Sequence, residues 1–232
     1  GMCRDDIPTS SNLTPTYANI CDLAREAGFD ACGLAPVHRL DEDAAFMDSW
    51  VAAGLHGNMD YLERNCDKRY NPADLVPGAK TVVVCLLTYT HSGRDYHRTV
   101  KSLLYNLQAR LVEEFGEDLV SPDHQHIFCD SAPMLERRWC VEAGLGFIGR
   151  NRQLIHPTLG SMVHPGELML NVEVPAPQRP VFAGCGDCRR CLDACPTGAL
   201  RNPVWDARVC IAYTTHHCLV CQNNCPYNET VT

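Results

Sequence analysis

Between Thr16 and Gly28 the apolar residues Ile20, Leu23, Ala24 and Ala27 recur at helical spacing, and Gly28 offers a stop, so the pattern predicts a helix. A short strand, Ala31 to Ala35, follows, then a second helix from Asp41 to Ala53, stopped near Gly54. Thr81 to Leu87 is a continuous apolar run rich in β-branched residues and reads as a buried strand. His97 to Phe115 has the stripe of a long amphipathic helix, with Val100, Leu103, Leu104, Leu107, Leu111 and Phe115 inward. Gln125 to Cys129 reads as a strand, Pro133 to Ala143 as a helix, and Ser161 to Val174 as one or two strands. Alternation of helices and strands predicts a layered α/β (α+β) N-terminal domain.

The periodicity fades at Pro175-Ala176-Pro177-Gln178-Arg179-Pro180, which sets the expected boundary between a domain at 1–180 and a second at 181–232. The second piece is short of large apolar residues and dense in cysteine, so it needs a metal as its core. The first dozen residues are polar and read as loose, and Gly1-Met2 reads as a remnant of cloning.

Composition narrows the class. Hydrophobic residues make up 45% and charged residues 21%, an ordinary globular balance. No apolar run is long enough to span a bilayer and no secretory signal is visible, so no membrane partner is expected. The net charge of -8 argues against a generally basic nucleic-acid binder, though not against a local basic face. The 15 cysteines are the outlier. Eight of them fall within Cys185–Cys225, and a chain with a large core and no export signal points to cytoplasmic thiols plus a metal cluster rather than a disulfide scaffold.

Cys185-x2-Cys188-x2-Cys191-x3-Cys195-Pro196 has the spacing of a bacterial ferredoxin [4Fe–4S] site. A second run, Cys218-x2-Cys221-x3-Cys225-Pro226, lacks the first cysteine of that pattern, because Thr215 stands there. In two-cluster ferredoxins the last cysteine of a run serves the other cluster. One cluster then takes Cys185, Cys188, Cys191 and Cys225, and the other takes Cys195, Cys218 and Cys221 with Cys210 as fourth ligand. This predicts a ferredoxin-like domain with two [4Fe–4S] clusters. A pair of zinc sites is the competing reading, disfavoured by the third close-spaced cysteine and both Cys-Pro endings. Two clusters imply one-electron transfer, so the larger region must bind what receives the electrons. Gly144-Leu145-Gly146-x2-Gly149 follows a predicted helix rather than a strand, which rejects a dinucleotide site. Asp130 lies between a strand ending in Phe128-Cys129 and a helix begun by Ser131-Ala132-Pro133; by itself it can be a helix cap or an active-site acid.

The stretch Asp130-Ser131-Ala132-Pro133-Met134-Leu135-Glu136, then Ala143-Gly144-Leu145-Gly146-Phe147-Ile148-Gly149-Arg150-Asn151, resembles the core motif of epoxyqueuosine reductases. Gly160-Ser161, Gly166-Glu167-Leu168, Cys195-Pro196-Thr197-Gly198-Ala199-Leu200 and Asp95-Tyr96-His97 match as well, and the likeness runs from about residue 28 to 228. The resemblance implies a cobalamin-dependent [4Fe–4S] oxidoreductase of queuosine biosynthesis, acting on tRNA and fed by an electron donor such as flavodoxin or ferredoxin. It implies that Asp130 protonates the departing oxygen, that Arg69 contacts cobalamin, and that Asn151, Leu154, Ser161 and Pro165 line the corrinoid. An acid in this role calls for burial or apolar contact.

The chain also departs from the family. Thr214 stands where Leu is usual, and His216-His217 where Ile-Glu is usual. A segment before the second cysteine run is missing, and the loop before Asp95 is short. Residues 210–228 contain no Lys or Arg.

Overall fold

The computed structural model describes residues 13–201, 204–215 and 217–229; the polar opening of the chain and His216 lie outside the described residues. The order begins with α1 (Tyr17–Ala27), β1 (Ala31–Pro36), α2 (Asp41–Ala52), α3 (Cys66–Tyr70) and α4 (Pro72–Leu75). It continues with β2 (Thr81–Thr88), α5 (Tyr89–Ser92), α6 (Tyr96–Phe115), β3 (Ile127–Phe128) and α7 (Glu136–Glu142). The strands β4 (Phe147–Ile148), β5 (Leu154–Ile155) and β6 (Val163–Leu170) follow, then the short helices α8 (Arg190–Ala194), α9 (Ile211–Thr214), α10 (Val220–Asn223) and α11 (Pro226–Glu229). Among the described residues no helix is long and apolar enough to cross a membrane.

Four strands pair in the order β1–β2–β6–β3, every pair antiparallel. That makes the layer α+β, without parallel crossovers among the described residues. β2 is the spine, with all eight positions buried. Val83, Cys85 and Leu87 face the core under α1 and α6, while Val82, Val84 and Leu86 face the core under α7. Covering both faces is what turns the usual alternation into a continuous apolar run. Each such side chain contributes about 1.5–3 kcal/mol of burial. α6 adds Val100, Leu104, Leu107 and Leu111 to the first core. Gly166 of β6 is required there, since a Cβ would lie 2.5 Å from Val100 Cγ1.

Local signals set the element ends. Asn19 N–H donates to Thr16 Oγ1 at 3.1 Å to cap α1, and Gly28 closes it at φ 115. The expected strand at 125–129 shrinks to Ile127–Phe128 because Asp130 takes a left-handed backbone at φ 50, which ends the edge strand. The helix expected from Pro133 starts only at Glu136, after an irregular loop.

The β4–β5 hairpin was not expected from periodicity. Its glycines work by close approach: a Cβ on Gly146 would sit 2.2 Å from the Ile155 carbonyl oxygen, and one on Gly149 2.3 Å from Ile155 Cδ1. The glycine-rich stretch therefore serves packing between α7 and a hairpin.

The cysteine block has a small core of Cys191, Cys195, Ala199 and Leu200, with Trp205, Cys210 and Cys221 packed on it. It leans on the larger layer through a few specific contacts. Trp50 and Trp205 stack at 5.5 Å, and Trp50 Nε1–H donates to the Trp205 carbonyl at 2.7 Å. Asn228 accepts from Ser161 N–H at 2.7 Å and donates to Ser161 Oγ at 2.9 Å.

Candidate active site

All eight cysteines of the C-terminal block are free thiols, and they divide into two quartets by the space they line. Cys185, Cys188, Cys191 and Cys225 wall a small enclosed hollow together with Asn151 and Tyr227. The chain reaches this arrangement by turning tightly after Cys185, whose carbonyl accepts from Cys188 N–H at 3.0 Å, and by starting α8 beneath Cys191. Arg150 fastens the loop from outside: its N–H donates to Cys185 Sγ at 3.4 Å and its guanidinium to the Gly186 carbonyl at 2.8 Å. Burial, then the neighbouring charges of Cys185, Cys188 and Cys225, push the Cys191 thiol up.

Cys195, Cys210, Cys218 and Cys221 form the second quartet, and all four line a cavity of about 980 Å³. Burial, followed by the charges of Cys210, Cys218 and Cys191, pushes Cys221 up to about 11. At Cys195 burial raises the thiol, but the backbone N–H groups of Leu200, Thr197 and Gly198 and the Thr197 hydroxyl outweigh it and lower the pKa. A second space of about 530 Å³ adjoins the first: Phe46, Met47, Tyr89 and Tyr213 border both. The cysteines of one quartet and Asp130 thus line two adjoining spaces that share a wall.

Asp130 follows edge strand β3, so the parallel-sheet rule that suggested its place does not apply. It caps no helix. Its Oδ2 accepts from Tyr96 O–H at 2.7 Å, with His97 Nε2 at 3.8 Å, and its side chain is 63% exposed rather than buried. The rings beside it form a column: Tyr89 lies 4.4 Å from His164, His164 3.8 Å from Tyr96, and Tyr96 4.0 Å from His97. Burial chiefly pushes His164 down to about 4, so that ring is neutral near pH 7. Burial and then the bond to Asp130 raise Tyr96, which keeps its proton to donate.

Leu154, Ser161 and Pro165 line the space around Asp130. Asn151 lines both the closed hollow and the large cavity; its Oδ1 accepts from Gln153 N–H at 3.1 Å, and its buried Nδ2 has no partner. Arg69 does not line the cavity. It is buried and its guanidinium donates to the carbonyls of Tyr61, Leu62 and Arg64 at 3.1, 3.1 and 2.7 Å, so it supports the turn that presents Tyr61 and Leu62 to the cavity.

Sequence reasoning assigned no role to Glu136 or Glu167. The Asp130 N–H donates to Glu136 Oε1 at 2.6 Å. Glu167 is fully buried on β6 beside Glu136. The available signal was an acid inside an apolar strand, which is costly unless it has a purpose.

Residues 184–218 match the 4Fe-4S double cluster binding domain. The epoxyqueuosine reductase of Leadbetterella byssophila is 35% identical over 240 residues, covering 89% of this chain and 78% of that protein. The solved epoxyqueuosine reductase of Streptococcus thermophilus superposes with a TM-score of 0.80 at 26% identity, covering 91% of this chain and 66% of that one. An epoxyqueuosine reductase solved with a tRNA-Tyr epoxyqueuosine-modified stem loop superposes with a TM-score of 0.79 at 25% identity, over 91% of this chain and 65% of the other. The chain thus spans about two thirds of the length of these solved structures. A reductive dehalogenase described for B12-dependent dehalogenation shares the fold, with a TM-score of 0.60 at 16% identity. Identity at this level over nine-tenths of the chain, with the double-cluster match in the cysteine block, makes this chain a member of the epoxyqueuosine reductase family of oxidoreductases.

Proposed function

We propose that the chain is a cobalamin-dependent iron–sulfur reductase that converts epoxyqueuosine in tRNA to queuosine. The observation that carries this reading is the pair of adjoining spaces, one lined by Cys195, Cys210, Cys218 and Cys221 and the other by Asp130. In this reading Cys185, Cys188, Cys191 and Cys225 hold the outer cluster and the other four cysteines hold the inner one. The domain division falls at 180/181, within the irregular stretch that follows the sheet.

The residues present fit the cofactor. A cavity of about 980 Å³ is at the upper end for small-molecule sites, as a macrocycle demands. The unpaired Asn151 Nδ2 in its wall is a donor awaiting an acceptor. Asn151, Leu154, Ser161 and Pro165 would border the cofactor, and Arg69 would act through Tyr61 and Leu62.

Removing the epoxide oxygen takes two electrons and two protons and releases water. When bound, cobalamin would supply the electrons, and the clusters held by the eight cysteines would be the route to it. Asp130 delivers a proton to the departing oxygen. Tyr96 fixes the carboxyl through Oδ2, and the neutral His164 ring packs against Tyr96 without adding charge. A small carrier such as flavodoxin or ferredoxin serves as donor, and the reaction belongs in the cytoplasm, where thiols stay reduced.

The test is anaerobic reconstitution with iron, sulfide and cobalamin, then turnover of an epoxyqueuosine-bearing tRNA stem loop followed by mass spectrometry. Loss of one oxygen atom together with a base-off corrinoid spectrum is the expected result. No retained corrinoid would replace this reading with that of an electron carrier. Corrinoid binding without turnover would point to another substrate, a reading favoured by one observation: residues 210–228 carry no Lys or Arg to meet phosphates. Asp130→Asn should lower kcat about 10²–10⁴-fold, the usual contribution of a positioned acid. A variant with full turnover and lower stability would remove Asp130 from the chemistry.

A further inference from the structure

We infer that Glu136 and Glu167 share one proton and together latch the Asp130 loop in its working position, which makes both of them positioning residues. This inference rests on reading Asp130 as the proton donor.

β6 carries an acid with no counterpart. Glu167 lies opposite Val84 of β2 and Phe128 of β3, and it is 0% exposed. Neither of its oxygens has an N–H or protein hydroxyl donor. A bare carboxylate in that position would cost several kcal/mol. The group beside it is the carboxyl of Glu136, at the start of α7. Two carboxyls in contact inside a protein cannot both be ionised, and one proton held between them satisfies both. Glu136 then spends an oxygen on Asp130 N–H at 2.6 Å.

That bond falls where the backbone needs holding. Asp130 sits at φ 50, a left-handed conformation that L-residues adopt at a cost. Its N–H has turned out of the strand and toward Glu136, while its carboxyl is drawn to Tyr96 O–H at 2.7 Å. Two fasteners, one on the backbone and one on the side chain, thus fix where the carboxyl points. A charge-assisted bond of this kind is about twice as strong as a neutral one. The shared proton keeps negative charge on the pair to one unit, beside a third acid.

The groups facing the pair are known from each element around it. Asp130 faces it from the loop, Arg137 and Cys140 from α7, and Cys129 from the end of β3. His97 of α6 and His164 of β6 face Asp130 in turn. Of these only Arg137 carries a fixed positive charge toward Glu136, and Arg137 is exposed. Burial chiefly, then the charge of Asp130, raises Glu136 to about 7, and burial with the Glu136 charge raises Glu167. Glu136 therefore ionises first, which leaves one proton on the pair. Glu167 is held well above the ordinary carboxylate value, and only as pH climbs past that higher value does the pair lose its last proton, two like charges meet beside Asp130, and the latch weakens.

The experiment has a readout that needs no turnover. Infrared difference spectra of cluster-loaded protein should show a protonated-carboxyl C=O band at neutral pH. The band should vanish in Glu167→Gln, which keeps a donor for Glu136 but removes the shared proton. Hydrogen exchange should find the Asp130 amide protected in wild type and exposed in Glu136→Ala. With the stem-loop substrate, Glu136→Ala and Glu167→Leu should lower kcat about tenfold or more, the equivalent of one lost hydrogen bond, with KM little changed. Glu167→Gln should recover most of that loss relative to Glu167→Leu, and its rate should stop declining on the alkaline side.

Absence of the carboxyl band in wild type, or an Asp130 amide equally protected in Glu136→Ala, overturns the latch. So does a Glu167→Gln profile that superposes on wild type across the alkaline limb. Failure of the underlying reading looks different: Asp130→Asn would turn over fully while the band and the amide protection stayed as described.

Discussion

Gly160→Ala is the sharpest test of how the cysteine block is held on the larger layer. Gly160 sits at φ +68, and a Cβ there would lie 2.0 Å from Asn228 Oδ1 and 2.9 Å from the Tyr227 carbonyl oxygen. The left-handed backbone alone costs about 1–2 kcal/mol with a side chain. The clash then expels Asn228, whose side chain bonds both the N–H and the hydroxyl of Ser161 and donates to the Gln222 carbonyl at 2.8 Å. At about 1 kcal/mol for each of those three bonds, the substitution should cost about 4–5 kcal/mol in all. For a chain of this size that is a fall in Tm of roughly 8–20 °C. Asn228 follows Cys225 by three residues and its N–H donates to the Cys225 carbonyl at 2.9 Å, so displacing it also disturbs the fourth ligand assigned to the outer cluster. The assay is a thermal melt of cluster-loaded protein with iron analysis on the same sample. Asn228→Ala should lose only the hydrogen bonds, about 3 kcal/mol. In the double variant the clash with Oδ1 is gone, so the two losses should add up to less than their sum. A Gly160→Ala protein with unchanged Tm and full iron would show that this contact carries neither stability nor cluster geometry.

Exchanging ligands should separate the two clusters: Cys225→Ala and Cys210→Ala should each take the reconstituted protein from about eight irons to about four. Only Cys210→Ala should change the corrinoid spectrum, because only its quartet lines the large cavity. The buried acids predict a pH dependence of stability. Glu136 is raised from the ordinary carboxylate value to about 7, so the folded state holds a proton that the unfolded state has given up. Stability from this source is present below the ordinary carboxylate pKa and is lost as pH rises from there through about 7. Urea melts across that range should fall more steeply for wild type than for Glu167→Gln, and parallel curves would refute it.

How much of this was legible in the sequence depends on what kind of signal each feature leaves. α1, α2, β2 and α6 were readable because periodicity, caps and breakers agree over many residues: Thr16 and Gly28 bracket α1 much as expected. β4 and β5, two residues each, are too short for any period to register, and what specifies them is the room that Gly146 and Gly149 leave for Ile155. The cysteine spacing was the strongest signal because cluster chemistry fixes ligand positions along the chain, and it paired Cys225 with the first run before any geometry was visible. Arg69 shows the opposite limit. A lone arginine has one letter and many fates, and here three backbone carbonyls claim its guanidinium. Glu136 and Glu167 lie 31 positions apart, and the sequence gives no period or motif that joins them. They meet because β6 carries Glu167 across the middle of the sheet while the left-handed turn at Asp130 brings the start of α7 over the same face. An acid at a core position is the trace such a pair leaves in a sequence; its partner, and what the pair holds, become visible only when the layers are stacked.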